Sequence, residues 1–382
     1  MILKIANREI GRLAAGKIYW FCILFVPLIT CVFFLSMMHE GLPTKLPVAV
    51  VDSDNTSSSR NLSRQLGAFE GVEVVATYTD FGEAQTEMQK VAVYGLFYIP
   101  PHFTQQTLSG KQPVLSFYTN NSYLIAGSLL FRDMKTVATL AGASVALQTG
   151  RAKGYTDQQI MATLQPIVIE THPIGNPWLN YSIYLNNLIL PGILALMIMC
   201  VTVYSIGIEI KQKTVPDWLI TGKIIPSLIG KLIPQTLLFF IVGLLMYFVL
   251  YIGMQFPVSG NIGPMILALF LFIIASQAWG VFMIGCFPTL RLGLSFACLF
   301  GMIAFSIAGF SFPVNAMYPP VQAISNLFPL RHYFLIYVDQ ALNGRALFYS
   351  WPHYLALLGF EILPVFILRN LKWSLKYVPY KA

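Results

Sequence analysis

Ile18-Tyr-Trp-Phe-Cys22-Ile-Leu-Phe-Val-Pro27-Leu-Ile-Thr-Cys31-Val-Phe-Phe-Leu-Ser-Met-Met38 contains no charge between Lys17 and His39. About 20 apolar residues in a helix cross the roughly 30 Å of hydrocarbon in a bilayer, so 18–38 reads as a membrane span. It is too long for the apolar part of a secretory leader, and no small-residue cleavage site follows; it is expected to be retained. Outward from it, comparable runs lie at 183–208, 232–253, 264–287, 292–312 and 354–368, the last short and interrupted by Glu361. The chain is 56% hydrophobic and 10% charged, against about 25% charged in soluble domains. The expected fold is an α-helical integral membrane protein with six transmembrane helices and an α/β (α+β) extracytoplasmic domain between spans one and two.

The net charge of +8 is unevenly placed. Residues 1–17, the loop 209–231, the turn at Arg291 and the end of the chain hold 13 basic and 3 acidic residues; the rest holds 11 basic and 13 acidic. The excess therefore falls on alternate loops of a six-span chain. The positive-inside rule then puts both termini and the 209–231 loop in the cytoplasm, and 39–180 outside. A basic surface at the membrane explains the charge without nucleic acid. The stretch 321–338 is apolar, but Pro329, Arg331 and His332 interrupt it. A seventh span would carry the basic 371–382 tail outside, so 313–345 reads as an external re-entrant segment covered by protein.

Within 39–180, strand-like runs at 48–51, 72–77, 94–99 and 114–118 alternate with helical runs at 57–69, 81–90, 122–151 and from Asp157. This pattern predicts a layered α/β domain. All five cysteines fall in spans and none in 39–180, so no disulfide framework and no zinc spacing is expected.

Two near-motifs do not carry chemistry. Gly11-Arg-Leu-Ala-Ala-Gly16-Lys17 lacks the hydroxyl residue that a phosphate loop needs after its lysine. Residues 1–17 read instead as an interfacial amphipathic helix, with Leu3, Ile10 and Leu13 toward lipid and Lys4, Arg8, Arg12 and Lys17 toward headgroups. Asp52-Ser-Asp54-Asn55 opens like a calcium loop, but Ser57 and Ser63 stand where that loop needs Gly and Glu; a turn and helix cap are expected. No catalytic or metal-ligating set can be assembled from spacing. Gly293, Ala297, Gly301 and Gly309 place small residues along the fifth span, a packing face or a path for cargo. Glu361, ionisable within a span, is a candidate functional site.

The longest basic-side loop, Glu209-Ile-Lys-Gln-Lys213-Thr214-Val-Pro216-Asp217-Trp218-Leu219, carries charge, an aromatic anchor and a helix start. At this point the chain resembles the permease subunit of the type-2 ABC exporters, in the branch with a large external domain after the first span. Leu46-Pro-Val-Ala-Val-Val-Asp52-Ser-Asp54, Ile99-Pro-Pro-His-Phe103 and Gly309-Phe-Ser-Phe-Pro313-Val-Asn-Ala-Met317-Tyr-Pro319 carry the likeness, as do Glu209, Thr214 and Gly230-Lys231-Leu-Ile-Pro234. Lys213 stands where that family has Gly, and Pro216-Asp217 where a Glu is common.

The resemblance implies a subunit that is not catalytic alone and binds no cofactor, with ATP and Mg on a partner ABC ATPase. It implies a second permease subunit, the same or different, and allows a periplasmic adaptor. It implies residence in the bacterial inner membrane. A coupling helix at about 213–221 would dock on the ATPase through Glu209, Lys213, Thr214, Asp217, Trp218 and Leu219. Cargo would pass between subunits along the second and fifth spans. An amphipathic, lipid-like or drug-like substrate fits the apolar composition. Two other classes stay open: a proton-coupled carrier using Glu361, and a membrane-anchored sensor.

Overall fold

A computed structural model of the chain describes residues 1–177, 179–219 and 222–377, with side chains to 375. It divides into two compact units, Leu42–His172 and Met1–Gly41 with Pro173–Ala382.

Among the described residues of the larger unit, six helices are long and apolar enough to cross a membrane: Lys17–Met37, Tyr181–Gln212, Ile224–Gly253, Ile262–Cys286, Leu290–Ile307 and Leu347–Leu375. The second and fourth lie at the centre, with 72% and 61% of their most apolar stretch buried, against 22–33% for the others. Small residues permit this. A Cβ on Gly280 of the fourth would stand 2.8 Å from Thr202 of the second. The third span begins at Ile224 rather than 232, and includes Lys231 in its interior. The sixth begins at Leu347 rather than 354, and tightens into a 3-10 turn at Phe360–Ile362. Pro364 has no N–H to offer the Phe360 carbonyl; the Leu363 amide donates there instead, closing the tighter turn.

Between the fifth and sixth spans the chain turns at Gly309, whose φ of +100° only glycine adopts readily. Two short helices follow, Pro319–Ser325 and Pro329–Tyr337. Pro329 starts the second helix rather than breaking one, since a first-turn proline withholds a donor that has no partner there anyway. Leu330, Tyr333, Ile336 and Tyr337 are buried. Tyr333 stacks on Phe272 at 4.7 Å, and its hydroxyl lies 2.5 Å from that of Tyr247. These contacts cover the segment with protein.

The smaller unit holds a four-stranded sheet of β1 (Leu46–Asp52), β2 (Val72–Tyr78), β3 (Gly95–Ile99) and β4 (Ser116–Thr119), in the order β2-β1-β3-β4. β1 runs parallel to β2 and β3, and β4 is antiparallel to β3. After β2 the chain reverses direction across the sheet. Right-handed crossovers then require the helices Ser57–Gly67 and Phe81–Gln89 to lie on opposite faces. Alternate residues of β1 record this: Leu46, Val48 and Val50 pack with Leu62 and Leu66, and also with Leu130 and Met134 of the helix Leu124–Ala152. Ala49 and Val51 pack with Ala84 on the other side. Burial on both faces explains why β1 reads as an unbroken apolar run.

Asp52 and Asp54 form the expected turn, but the helix cap falls to Thr56. Asp52 Oδ1 accepts the amides of Asp54 and Asn55, and Asp54 Oδ2 accepts the Thr56 and Thr104 hydroxyls. The Thr56 hydroxyl caps the Ser57–Gly67 helix.

Candidate functional site at the loop ends of the second and third spans

The N-terminal helix Ile2–Ala15 buries Ile5, Ala6, Glu9 and Leu13 along one stripe. That stripe lies on the third span at Gly230, where a Cβ would come within 2.9 Å of the Ile2 carbonyl oxygen and 3.1 Å of Ile5. The absence of a side chain there is what lets the two helices touch. This corrects the lipid-facing reading in part. Leu3 and Ile10 are exposed, but Leu13 is in the core, and Arg8 and Arg12 turn to the protein rather than to headgroups.

Glu9 has no solvent exposure, nor have Glu209, Lys231 and Gln235. Lys231 Nζ donates to Glu9 Oε2 at 2.8 Å and to Glu209 Oε1 at 3.1 Å, and lies 5.6 Å from the Trp218 ring centroid. Gln235 Nε2 donates to the other Glu9 oxygen at 3.0 Å. Arg8 donates to Glu209 Oε1 at 2.8 Å and, with its other nitrogen, to Asp217 Oδ2 at 3.4 Å. Arg12 also pairs with Glu209. Three cations thus face three carboxylates. Burial of such charges is tolerable only when they are paired in this way.

The loop is anchored beneath this cluster. Lys213 ends the second span in a left-handed conformation, φ 59°, and its amide donates to the Glu209 and Ile210 carbonyls. The expected coupling helix is a single 3-10 turn, Val215–Asp217, with Pro216 in its first turn. Its forecast end at Thr221 lies outside the described residues. Val215, Trp218 and Leu219 pack with Ile5, Ile206, Leu228, Leu371 and Leu375.

The six candidate docking residues therefore separate. Glu209, Trp218 and Leu219 are buried in this chain, Thr214 is half-buried, and Lys213 and Asp217 are exposed. Among the described residues, Glu209 Oε2, Thr214 Oγ1 and Trp218 Nε1 of the loop have no hydrogen-bond partner. Such groups are few in folded proteins.

Of the small residues, Gly293 meets Val203 and Gly301 meets Leu196, both on the second span, and Ala297 is fully buried. They are packing contacts within one chain. Gly309 belongs to the turn after the fifth span. Glu361 is exposed and, among the described residues, has neither a hydrogen bond nor an ion pair. Glu9, Lys231 and Gln235 were not among the candidates from sequence. Glu9 could have been found: it falls one turn after Ile5 and one before Leu13, so an acid stands on the apolar stripe and needs a buried cation.

Comparison with curated proteins gives no match. A family model described as "ABC-2 family transporter protein" matches residues 17–368, which includes all but the ends of the bundle just described. With six apolar helices and a match over most of its length, the chain is a multi-pass membrane protein belonging to the ABC-2 transporter family, as a permease component.

Proposed function

We propose that this chain is the membrane-spanning subunit of an ATP-driven exporter whose ATPase, carrying ATP and Mg, is a separate polypeptide. The observation that carries this is the reach of Arg8 from buried Glu209 to exposed Asp217. A displacement of the loop at Asp217 is thereby felt at the ends of the second and third spans and in the N-terminal helix. Lys213 and Asp217 offer the exposed charges for docking, while Trp218 and Leu219 hold the loop to the bundle. The unpartnered Thr214, Trp218 and Glu209 atoms suit a loop that rearranges when its partner engages.

In this reading the loop and both termini are cytoplasmic, as the charge asymmetry favours. Residues 39–180 stand on the outer side of a bacterial inner membrane, open to a periplasmic adaptor, and two permease subunits form the path. Alternating access moves cargo because two states bind it differently, and an amphipathic cargo suits the apolar bundle.

The test is affinity purification of the full chain from its native membrane in mild detergent. An ATP-hydrolysing polypeptide is expected to co-purify. Reversing both exposed charges, Lys213→Glu with Asp217→Lys, should cut its recovery by about tenfold. Absence of such a partner, or recovery indifferent to the reversal, rejects the reading. Unpaired Glu361 favours a second reading, a proton-coupled carrier. That predicts uptake driven by a pH gradient without ATP and abolished in Glu361→Gln.

A further inference from the structure

A cavity of about 470 Å³ opens on the larger unit between the third, fourth and sixth spans. This is within the range of small-molecule sites, which are apolar with a few placed polar groups. Ile229, Phe270 and Val365 are among its walls, and it has three polar side chains, Thr236, Gln277 and Glu361.

The polar side chains are not used up by the fold. The Thr236 hydroxyl, with one proton to give, lies 2.7 Å from Gln277 Oε1 and 3.0 Å from the Leu232 carbonyl oxygen. Gln277 is 2% exposed, and its Nε2 has no partner among the described residues. Glu361, on the 3-10 turn that Pro364 imposes, has none among the described residues. Elsewhere in this unit the buried acids Glu9 and Glu209 each have a cation. The pocket thus presents one free carboxyl and one free amide N–H group in an apolar wall. A carboxylate in such surroundings is unfavourable until a cation meets it.

We propose that this pocket binds a lipophilic amine: the ammonium group against Glu361, an acceptor oxygen of the same molecule on Gln277 Nε2, and the apolar body between the three spans. The ion pair gains from the low dielectric of the wall, and the buried amide finds the acceptor it lacks. The pocket draws on the first half of the third span, 225–237, next to the basic loop. In the orientation proposed above it opens to the inner leaflet, so the bound amine is positioned as cargo for export. That last step rests on the exporter reading; the binding itself does not. The shared chemistry is an amphiphile with an ammonium and an oxygen, which either a free amine or an aminophospholipid supplies.

The experiment measures binding of radiolabelled propranolol, and of its uncharged N-acetyl derivative, to the full chain in dodecyl maltoside micelles without ATP. Glu361→Gln should weaken propranolol binding by about tenfold or more while changing the N-acetyl derivative less than about twofold. Gln277→Leu should weaken both by a similar factor, because both keep the acceptor oxygen. Val365→Trp, which fills the pocket and leaves the carboxyl, should abolish both, and decides the matter if Glu361→Gln does not fold. Competition by phosphatidylethanolamine assigns the site to a membrane lipid, and its absence, with propranolol still bound, to a free amphiphile. Equal propranolol affinity in the parent and Glu361→Gln, or in the parent and Val365→Trp, overturns the proposal. Since neither ATP nor a partner is present, that failure is distinct from failure to find an ATPase.

Discussion

Lys231 shows how one residue reads differently in a string and in a fold. A lysine before an apolar run marks the end of a span, and the sequence accordingly places the third span from 232. In the structure its ammonium is inside, held by Glu9 from 222 residues away and by Glu209 from 22. No local pattern contains those partners. Removing the cation alone leaves two carboxylates buried beside it, so Lys231→Ala should cost about 3–5 kcal/mol, read as a lowered denaturation midpoint of the purified chain. Lys231→Met combined with Glu9→Gln should recover much of that, since the pair is removed together; a double variant no better than the single one contradicts the pairing.

Asp54 supplies a pH-dependent counterpart in the smaller unit. Burial acts to raise its carboxyl, but hydrogen bonds from the Thr104 and Thr56 hydroxyls and the Thr104 amide prevail and hold it below the ordinary 3.8. A depressed carboxyl stabilises the folded form at pH above its unfolded value, and that contribution is lost as pH falls through the folded one. The stability difference between the parent and Thr104→Val should therefore shrink as acid carries the pH below the ordinary 3.8 and through the lowered folded value. Unfolding monitored by circular dichroism checks this, and a pH-independent difference excludes the assignment.

At the scale of elements, regular structure was legible where it depends on neighbours in the chain. Thr56 caps the Ser57–Gly67 helix, Asp80 caps Phe81–Gln89, and Thr156 caps Asp157–Leu164; each sits immediately before an amphipathic or helical run, where the sequence places it. The sixth span was under-read because Glu361, Pro364 and the aromatic-rich start at Leu347 dilute its apolar signal, whereas the helix absorbs the proline through one tight turn.

At 213–219 the sequence reads as the start of a helix, and one turn forms. Charge, Pro216 and Asp217 resemble a helix start, but the turn ends at Asp217 because Trp218 and Leu219 are drawn into the core. The small-residue face is legible as a face and not as to its partner. Gly301 lies against Leu196, 2.6 Å from where a Cβ would be. Gly301→Leu should destabilise by about 1–3 kcal/mol, and Leu196→Ala in the same chain should return part of it. Thermal unfolding in detergent measures both; no rescue would mean that the second and fifth spans do not meet there.

For the whole molecule, the chain's crossing of the bilayer makes a directional prediction. In a cysteine-free background, an impermeant maleimide added to intact cells should label Arg64→Cys and leave Lys213→Cys unmodified until the membrane is opened. Both positions are exposed on their own units, so labelling of the two together would rule out the proposed orientation. Sequence by itself determined that this is a multi-span membrane protein that also carries a small α/β unit. Apolar length, charge sorting and the two helical and extended periodicities are properties of consecutive residues. Only the tertiary structure decided that the N-terminal helix is locked to the third span through Glu9 and Lys231. It likewise decided that half the candidate docking residues are buried, and that Glu361, without a partner among the described residues, shares a pocket with Gln277. Those facts depend on which charges and cavities meet across hundreds of residues, and long-range pairing of that kind leaves no periodic trace in a single chain.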